Sequence, residues 1–256
     1  MVRLPDGSRY YCSMTVDREI QSGCWLESMT WIEAERMLGE DRVVMIPLGA
    51  AAKEHGPHLP LNNDALIASW LADAVVDHLP VIAAPLINTS FYPAFVEYPG
   101  SISLRPETAR DLIIEVCRSL AAHGARRFYL LNTGVSTEGP LAAARQELGD
   151  LRFEYLRLGE AMQRIPNGIL EQGWGTHADE HETSLMLHIA PEVVDMSQAI
   201  DDGREGEGRL SRDPGKGIHS ASGIYGQASL ATAEKGRAVA DALLSQALED
   251  IEALSQ

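Results

Sequence analysis

Residues 43–64, VVMIPLGAAAKEHGPHLPLNND, begin as an apolar run, break at Gly49, and then place Lys53, Glu54, His55, His58 and Asp64 within twelve positions. Imidazoles and carboxylates at this density can ligate a divalent ion or move protons. The apolar run before them reads as a buried strand that delivers them to a loop. A second concentration of such groups lies at His177, Asp179, His181 and Glu182. Each also has an ordinary structural reading. Asp64 can cap a helix, Asp179 with Glu182 resembles a capping pair at a helix start, and His58 stands beside prolines, where it braces a loop. His177 and His181 have helical ligand spacing, but the surrounding residues do not form HExxH.

The elements that must position these residues alternate. Thr30 caps a helix in which Trp31, Ala34 and Leu38 share a face and Gly39 ends the turn. A strand over 43–48 follows. Asn63 or Asp64 caps a helix to about His78, with Ile67, Trp70, Leu71, Ala74 and Val75 at helical spacing, and 81–87 is the next strand. Residues 91–103, rich in Tyr, Pro and Gly, read as a loop lining a pocket. Helices over 106–124 and 140–148 alternate with strands over 127–132 and 152–158. A helix runs from Asp179 to about Ile189, and a final one from about Ala231 to Leu254. This alternation predicts a layered α/β/α sandwich with a mostly parallel sheet, whose ligands bind beyond the carboxyl ends of the strands. Residues 201–217 are charged and glycine-rich without a period, as in a mobile loop, a lid or a solvated segment.

Composition narrows the function classes. With 256 residues, the chain is expected to form one α/β domain over 25–256 behind an N-terminal arm, 1–24. Twenty-one Lys plus Arg against 37 Asp plus Glu give a net charge of -16, which repels nucleic acid and anionic lipid. Cys12, Cys24 and Cys117 form no CxxC pair, so no disulfide framework or thiolate zinc site is expected. There is no apolar run of about 18 residues, the length a membrane span needs. The N-terminus does not read as a signal peptide, and the expected location is the cytoplasm.

The string GAAAKEHGPHLPLNND resembles the signature of the creatininase (creatinine amidohydrolase) family, in which Glu-x-His-Gly-x-His follows a strand and an Asp comes nine residues after the first His. Further segments stand in the family's order: TW at Thr30 and Trp31, YPGSISL from Tyr98, AAHGARRFYLLN from Ala121, ETSLML from Glu182 and ATAEKG from Ala231. The resemblance implies a creatininase-like fold, two divalent cations, cleavage of cyclic or linear amides, and a ring-shaped homo-oligomer, for which a hexamer is the expected size. In the family, one cation sits on the Glu of Glu-x-His, the Asp, and the His of an Asn-Gly-His loop. The other takes the His of Glu-x-His, the same Asp and a further Glu.

Carried over residue by residue, the match is uneven. His55, Asp64 and Glu182 correspond to metal ligands, and His177 to the histidine that donates a proton. Lys53 stands where the first Glu is expected, unless Glu54 takes its place. The Asn-Gly-His loop reads Asn132, Thr133, Gly134, without its His. The expected site is therefore mononuclear, one Zn, Mn or Fe per chain on His55, Asp64, Glu182 and Glu54, with the Lys53 ammonium beside Asp64 replacing the missing cation. Asp179 is the candidate carboxylate partner of His177. Lys53 and Trp174 are carried as substrate contacts. A bound ion lowers the pKa of its water toward about 7 and supplies a hydroxide nucleophile. The expected function is hydrolysis of a C–N bond in a small molecule, an amide, cyclic amide or formamide other than creatinine. The rival is a catalytically degenerate paralogue acting as a binding or assembly subunit.

Overall fold

The structure, a computed structural model, describes residues 22–256. The expected N-terminal arm lies outside the described residues except at its end, where Cys24 already belongs to a strand. Five strands, β1 (Cys24–Trp25), β2 (Val43–Leu48), β3 (Ile82–Ala83), β4 (Arg127–Asn132) and β5 (Arg152–Tyr155), form one parallel sheet in the order β1-β3-β2-β4-β5. Side chains alternate across a strand, so the sheet feeds two cores. Met45, Tyr129 and Leu131 pack on one face against helices α2 (Asn63–His78), α6 (Glu180–Ile189) and α7 (Ala233–Ser255). Val44, Ile46, Phe128 and Leu130 pack on the other against α1 (Trp31–Leu38), α3 (Pro106–Ala121) and α4 (Glu138–Glu147). This is the α/β/α sandwich that the alternation predicts.

The details depart from the expected boundaries for identifiable reasons. Thr30 caps α1 through a capping box with Glu33, and Leu38 is buried as expected together with Met37, but Trp31 is 74% exposed. Eight residues make too few turns for a stripe to be assigned from spacing alone. The strand expected over 81–87 pairs only at Ile82 and Ala83, with one further bridge at Ile87, because Pro85 has no N–H to donate. The strand expected over 152–158 ends at Tyr155, and a short α5 (Leu158–Met162) follows. Residues 201–217 are pinned by two small pairings. β6 (Asp201–Asp202) runs antiparallel to β9 (Gly226–Gln227), and β7 (Leu210–Ser211) runs parallel to β8 (Ile218–His219).

Two glycines set close approaches. A Cβ at Gly49 would collide with the Asp64 carbonyl, so glycine lets the end of β2 lie against the first turn of α2. A Cβ at Gly236 would collide with the Ser184 carbonyl, where α6 crosses α7.

Candidate active site

β2 and β4 pair in parallel from Val43 with Arg127 to Leu48 with Asn132, so the loops that follow them open at the same sheet edge. The β2 loop folds back on itself: the Lys53 amide donates to the Leu61 carbonyl, and the Ala65 amide to that of Ala50. Lys53, Glu54, His55 and Asp64 are all buried in consequence. Lys53 Nζ lies 2.7 Å from Asp64 Oδ2, and His55 Nε2 lies 2.8 Å from Asp64 Oδ1. His55 Nδ1 is 2.9 Å from the Lys53 carbonyl oxygen. The ammonium also sits 4.9 Å from the centroid of the Phe95 ring.

Glu54 turns into the same site. Its amide donates to Ser101 Oγ at 3.0 Å, its Oε1 accepts from the Gly56 amide, and its Oε2 lies 3.2 Å from His177 Nε2. Gly223, at φ +90, approaches so closely that any Cβ there would fall on the Glu54 carboxylate.

The second cluster comes from the N-terminus of α6. Asp179 caps that helix by accepting from the His181 and Glu182 amides at 3.0 and 3.1 Å. The residue before it, Ala178, has φ 49, a left-handed conformation unusual for a residue with a Cβ. That turn aims the Ala178 amide at Glu182 Oε2, 2.6 Å away. His177 is fixed by a single antiparallel bridge to Tyr225 and by its ring packing 4.3 Å from Phe95 and 4.9 Å from His55. Its Nδ1 is 3.6 Å from Glu182 Oε2. One ligand atom each from His55, His177 and Glu182 falls within 4.8 Å of the others.

The charges do not balance. Burial raises the Asp64 carboxyl, but Lys53 and His55 outweigh it and hold the group well below the usual carboxylate range. Burial pulls the Lys53 ammonium down, and Asp64, Glu182 and Glu54 more than restore it. Glu182 is left with its pKa raised by burial, an effect that His177 and Lys53 only partly offset. Three carboxylates thus share one ammonium.

Every ring nitrogen of His55 and His177 faces an oxygen acceptor. A neutral imidazole donates from one nitrogen only, so the other contact calls for a proton or a cation. This donor set fits a divalent ion.

The β4 loop supplies nothing comparable. Asn132 Nδ2 donates to the Gly134 carbonyl at 2.9 Å, the Gly134 amide donates back to Asn132 Oδ1 at 3.2 Å, and Thr137 Oγ1 reaches both acceptors. Thr133 Oγ1 donates to the Leu48 carbonyl at 3.0 Å.

Of the residues singled out in the sequence, the structure brings Lys53, Glu54, His55, Asp64, His177 and Glu182 together. Asp179 does not partner His177. It lies 3.0 Å from His181 Nδ1, while the carboxylates beside His177 are Glu54 and Glu182. Glu182 bonds the Ala178 amide, one residue short of a capping box with Asp179. Trp174 stands apart: its Nε1 donates to the Asp202 carbonyl at 3.3 Å, and the Arg204 guanidinium lies 5.1 Å from its ring. His58 Nε2 meets Thr183 Oγ1 at 2.8 Å and ties the β2 loop to α6. Burial and nearby His55 depress its pKa to about 4.

Phe95, Ser101, Gly223 and Tyr225 are site residues that sequence reasoning did not single out. Phe95 and Ser101 lie in the 91–103 loop, whose pocket-lining character was readable, whereas Gly223 and Tyr225 carry no local signal.

These groups open into a cavity of about 580 Å³. Lys53, Phe95, Gly134, His177, His181 and Glu182 are among the residues that line it.

Comparison with known proteins places this geometry. A creatinine amidohydrolase of Pseudomonas putida is 29% identical over 196 residues, 68% of this chain and 74% of that protein. A mycofactocin precursor peptide peptidase of Mycobacterium ulcerans is 32% identical over 208 residues, 77% of this chain and 79% of that protein. The solved structure described as "Creatininase Mn" superposes with a TM-score of 0.75 at 25% identity, covering 90% of this chain and 98% of that one. The family model "Creatininase: Creatinine amidohydrolase" matches residues 27–251, and with that match the chain belongs to the creatininase family.

Proposed function

We propose that this chain is a metal-dependent amidohydrolase that cleaves a C–N bond in a small molecule and uses one divalent ion where a two-metal site would use two. The observation that carries the reading is the pairing of two buried imidazoles with acceptors that set their tautomers. The Lys53 carbonyl takes the Nδ1 proton of His55 and leaves Nε2 for a ligand role. Glu54 Oε2 takes the Nε2 proton of His177 and leaves Nδ1 facing Glu182. Zn, Mn or Fe held by His55, His177 and Glu182, with Glu54 and Asp64 behind them, would supply Lewis acidity and an activated water at neutral pH. The names of the relatives, an amidohydrolase and a peptidase, support C–N cleavage.

The remaining chemistry falls to the chain's own groups. Lys53 neutralises Asp64 and so takes the place of a second cation. His177 moves from the expected proton-donor role to that of a ligand. His181 is held at Nδ1 by Asp179 and lines the same cavity, so it is the residue placed to carry a proton for the leaving nitrogen.

Elemental analysis and calorimetric titration with Mn²⁺ and Zn²⁺, followed by an amide panel, test this reading. The expected result is one equivalent per chain, and a loss of at least about 100-fold in hydrolysis with His177→Ala. Two equivalents per chain would overturn the single-ion site. One observation, the Lys53–Asp64 pair filling a ligand position, also favours a non-catalytic binding or assembly subunit. Protein that takes up no ion and gains no thermal stability from Mn²⁺, Zn²⁺ or Fe²⁺ decides for that second reading.

A further inference from the structure

The cavity beside the cluster is lined mostly by apolar surface, with Ile67, Leu158, Met162, Leu185 and Leu243 in its wall. Arg209, from the segment joining β6 to β7, also lines it. Residues 203–217, which run from β6 through β7 to β8, carry four cations, Arg204, Arg209, Arg212 and Lys216. Three of them are engaged within the protein: Arg204 over the Trp174 ring, Arg212 over the Tyr98 ring at 5.8 Å, and Lys216 in an ion pair with Asp213 at 3.0 Å. Arg209 is exposed, and among the described residues its guanidinium has no hydrogen bond or ion pair.

Its backbone, by contrast, is held. The Arg209 carbonyl accepts from the Ile218 amide at 2.9 Å, and Gly217 packs so closely on that carbonyl that a Cβ would collide with it. The site's other full cation, Lys53, is already consumed by Asp64. The residues that line the cavity therefore include His177 and Glu182 of the cluster, an apolar set, and Arg209, whose guanidinium is uncommitted and whose backbone is fixed.

We propose that Arg209 is a specificity-determining residue that reads a carboxylate on the substrate, and that the preferred amides are N-acyl amino acids or short peptides with an apolar side chain. A guanidinium fork matches a carboxylate in bidentate geometry, and the apolar wall accommodates the side chain beside it. A monoanion fits better than a phosphate dianion, because Glu182 and Asp179 line the same cavity and a single guanidinium offsets only one charge. The inference names the substrate class for the hydrolase reading above and rests on it for turnover, but not for binding.

The test uses N-acetyl-L-phenylalanine and its neutral carboxamide as probes, in calorimetric binding and in hydrolysis, with wild type, Arg209→Gln and Arg209→Lys. The wild type is expected to bind the acid at least about tenfold more tightly than the carboxamide. Arg209→Gln abolishes that preference, and Arg209→Lys retains part of it. In hydrolysis, the Gln variant raises KM for the acid and leaves kcat and the carboxamide reaction unchanged. Equal affinity of the wild type for the two probes, or an equal loss for both in the Gln variant, would overturn the assignment. Because binding is measured separately, a protein that discriminates the acid through Arg209 but hydrolyses neither probe upholds this inference while counting against the hydrolase reading.

Discussion

The loop that leaves β2 and the loop that leaves β4 emerge side by side from strands paired in register, and they treat their polar groups in opposite ways. The β4 loop closes on itself. Asn132, Gly134 and Thr137 satisfy one another, and no side chain is left over for a ligand. The β2 loop spends its backbone bonds on closure and sends four charged or titratable side chains into one buried volume. In a two-metal version of this arrangement both loops would supply ligands. On the proposed reading, Lys53, from the β2 loop itself, replaces the cation that the β4 loop would help to hold. Charge compensation has thus moved into the covalent chain, where it requires no ion but is permanent. A buried ammonium and carboxylate gain from each other only while both are present.

Lys53→Met breaks that arrangement most severely. Asp64 would remain buried with only His55 beside it, and removing one partner of a buried pair costs about 3–5 kcal/mol. The expected outcome is a drop in melting temperature on the order of 10 °C, with a matching shift of the urea midpoint at unchanged slope. Lys53→Glu should be as unstable alone, yet recover stability with Mn²⁺, because two adjacent carboxylates then offer an ion site. A Met variant with wild-type stability would show that Lys53 is not what compensates Asp64.

The second effect is a pH dependence seated where the β2 loop meets α6. His58 has a folded-state pKa of about 4 against an ordinary value near 6.5, since burial and His55 disfavour its charged form. Between those values the unfolded chain binds the additional proton, so His58's contribution to stability is full above about pH 6.5 and declines as pH falls toward 4. The loss from pH 7 to pH 5 is on the order of 2 kcal/mol. Glu182 acts in the opposite sense: its pKa is raised, so its contribution declines as pH rises from 4.5 through the folded value. Comparing urea midpoints of wild type and His58→Gln at both pH values isolates the histidine. The variant should lose less stability on acidification than wild type, and parallel profiles would remove His58 as the cause.

The contrast between the loops also marks where sequence reasoning reaches. β2 and β4 were legible because the apolar runs 43–48 and 128–131 end in Gly49 and in the Asn132 to Gly134 turn, and the juxtaposition of Lys53 with Asp64 was an expectation of the resemblance, which sets Lys53 at the place of a metal-ligating Glu. The orientation of Glu54 was not legible. It depends on Gly223, a residue distant in sequence whose missing side chain makes room for the carboxylate. Asp179, a candidate partner of His177, is kept from it for the same kind of reason. Proximity in sequence favours Asp179, but the left-handed Ala178 between them turns the chain, leaving Asp179 to cap α6 and hold His181. Trp174 has the right residue type near the right motif, and is nonetheless occupied by Asp202 and Arg204.

The smallest expected effect sharpens the comparison furthest. Gly134 stands where the resemblance sets the histidine of an Asn-Gly-His loop, and Gly134→His tests whether the β4 loop alone limits the proposed site to one ion. The position tolerates a side chain: a Cβ there would meet Thr137 Oγ1 at 3.3 Å, so the loop must yield by a few tenths of an ångström at a cost below about 1 kcal/mol. Adding the histidine should leave metal stoichiometry unchanged, because the Lys53 ammonium, 2.7 Å from Asp64 Oδ2, still occupies that carboxylate and would repel an arriving ion. Combined with Lys53→Glu, the same histidine should bring a second equivalent of Mn²⁺ or Zn²⁺ that neither change brings as tightly alone. A second equivalent in the single Gly134→His variant would place the limit in the β4 loop and not in Lys53, and the two loops would exchange the roles assigned to them here.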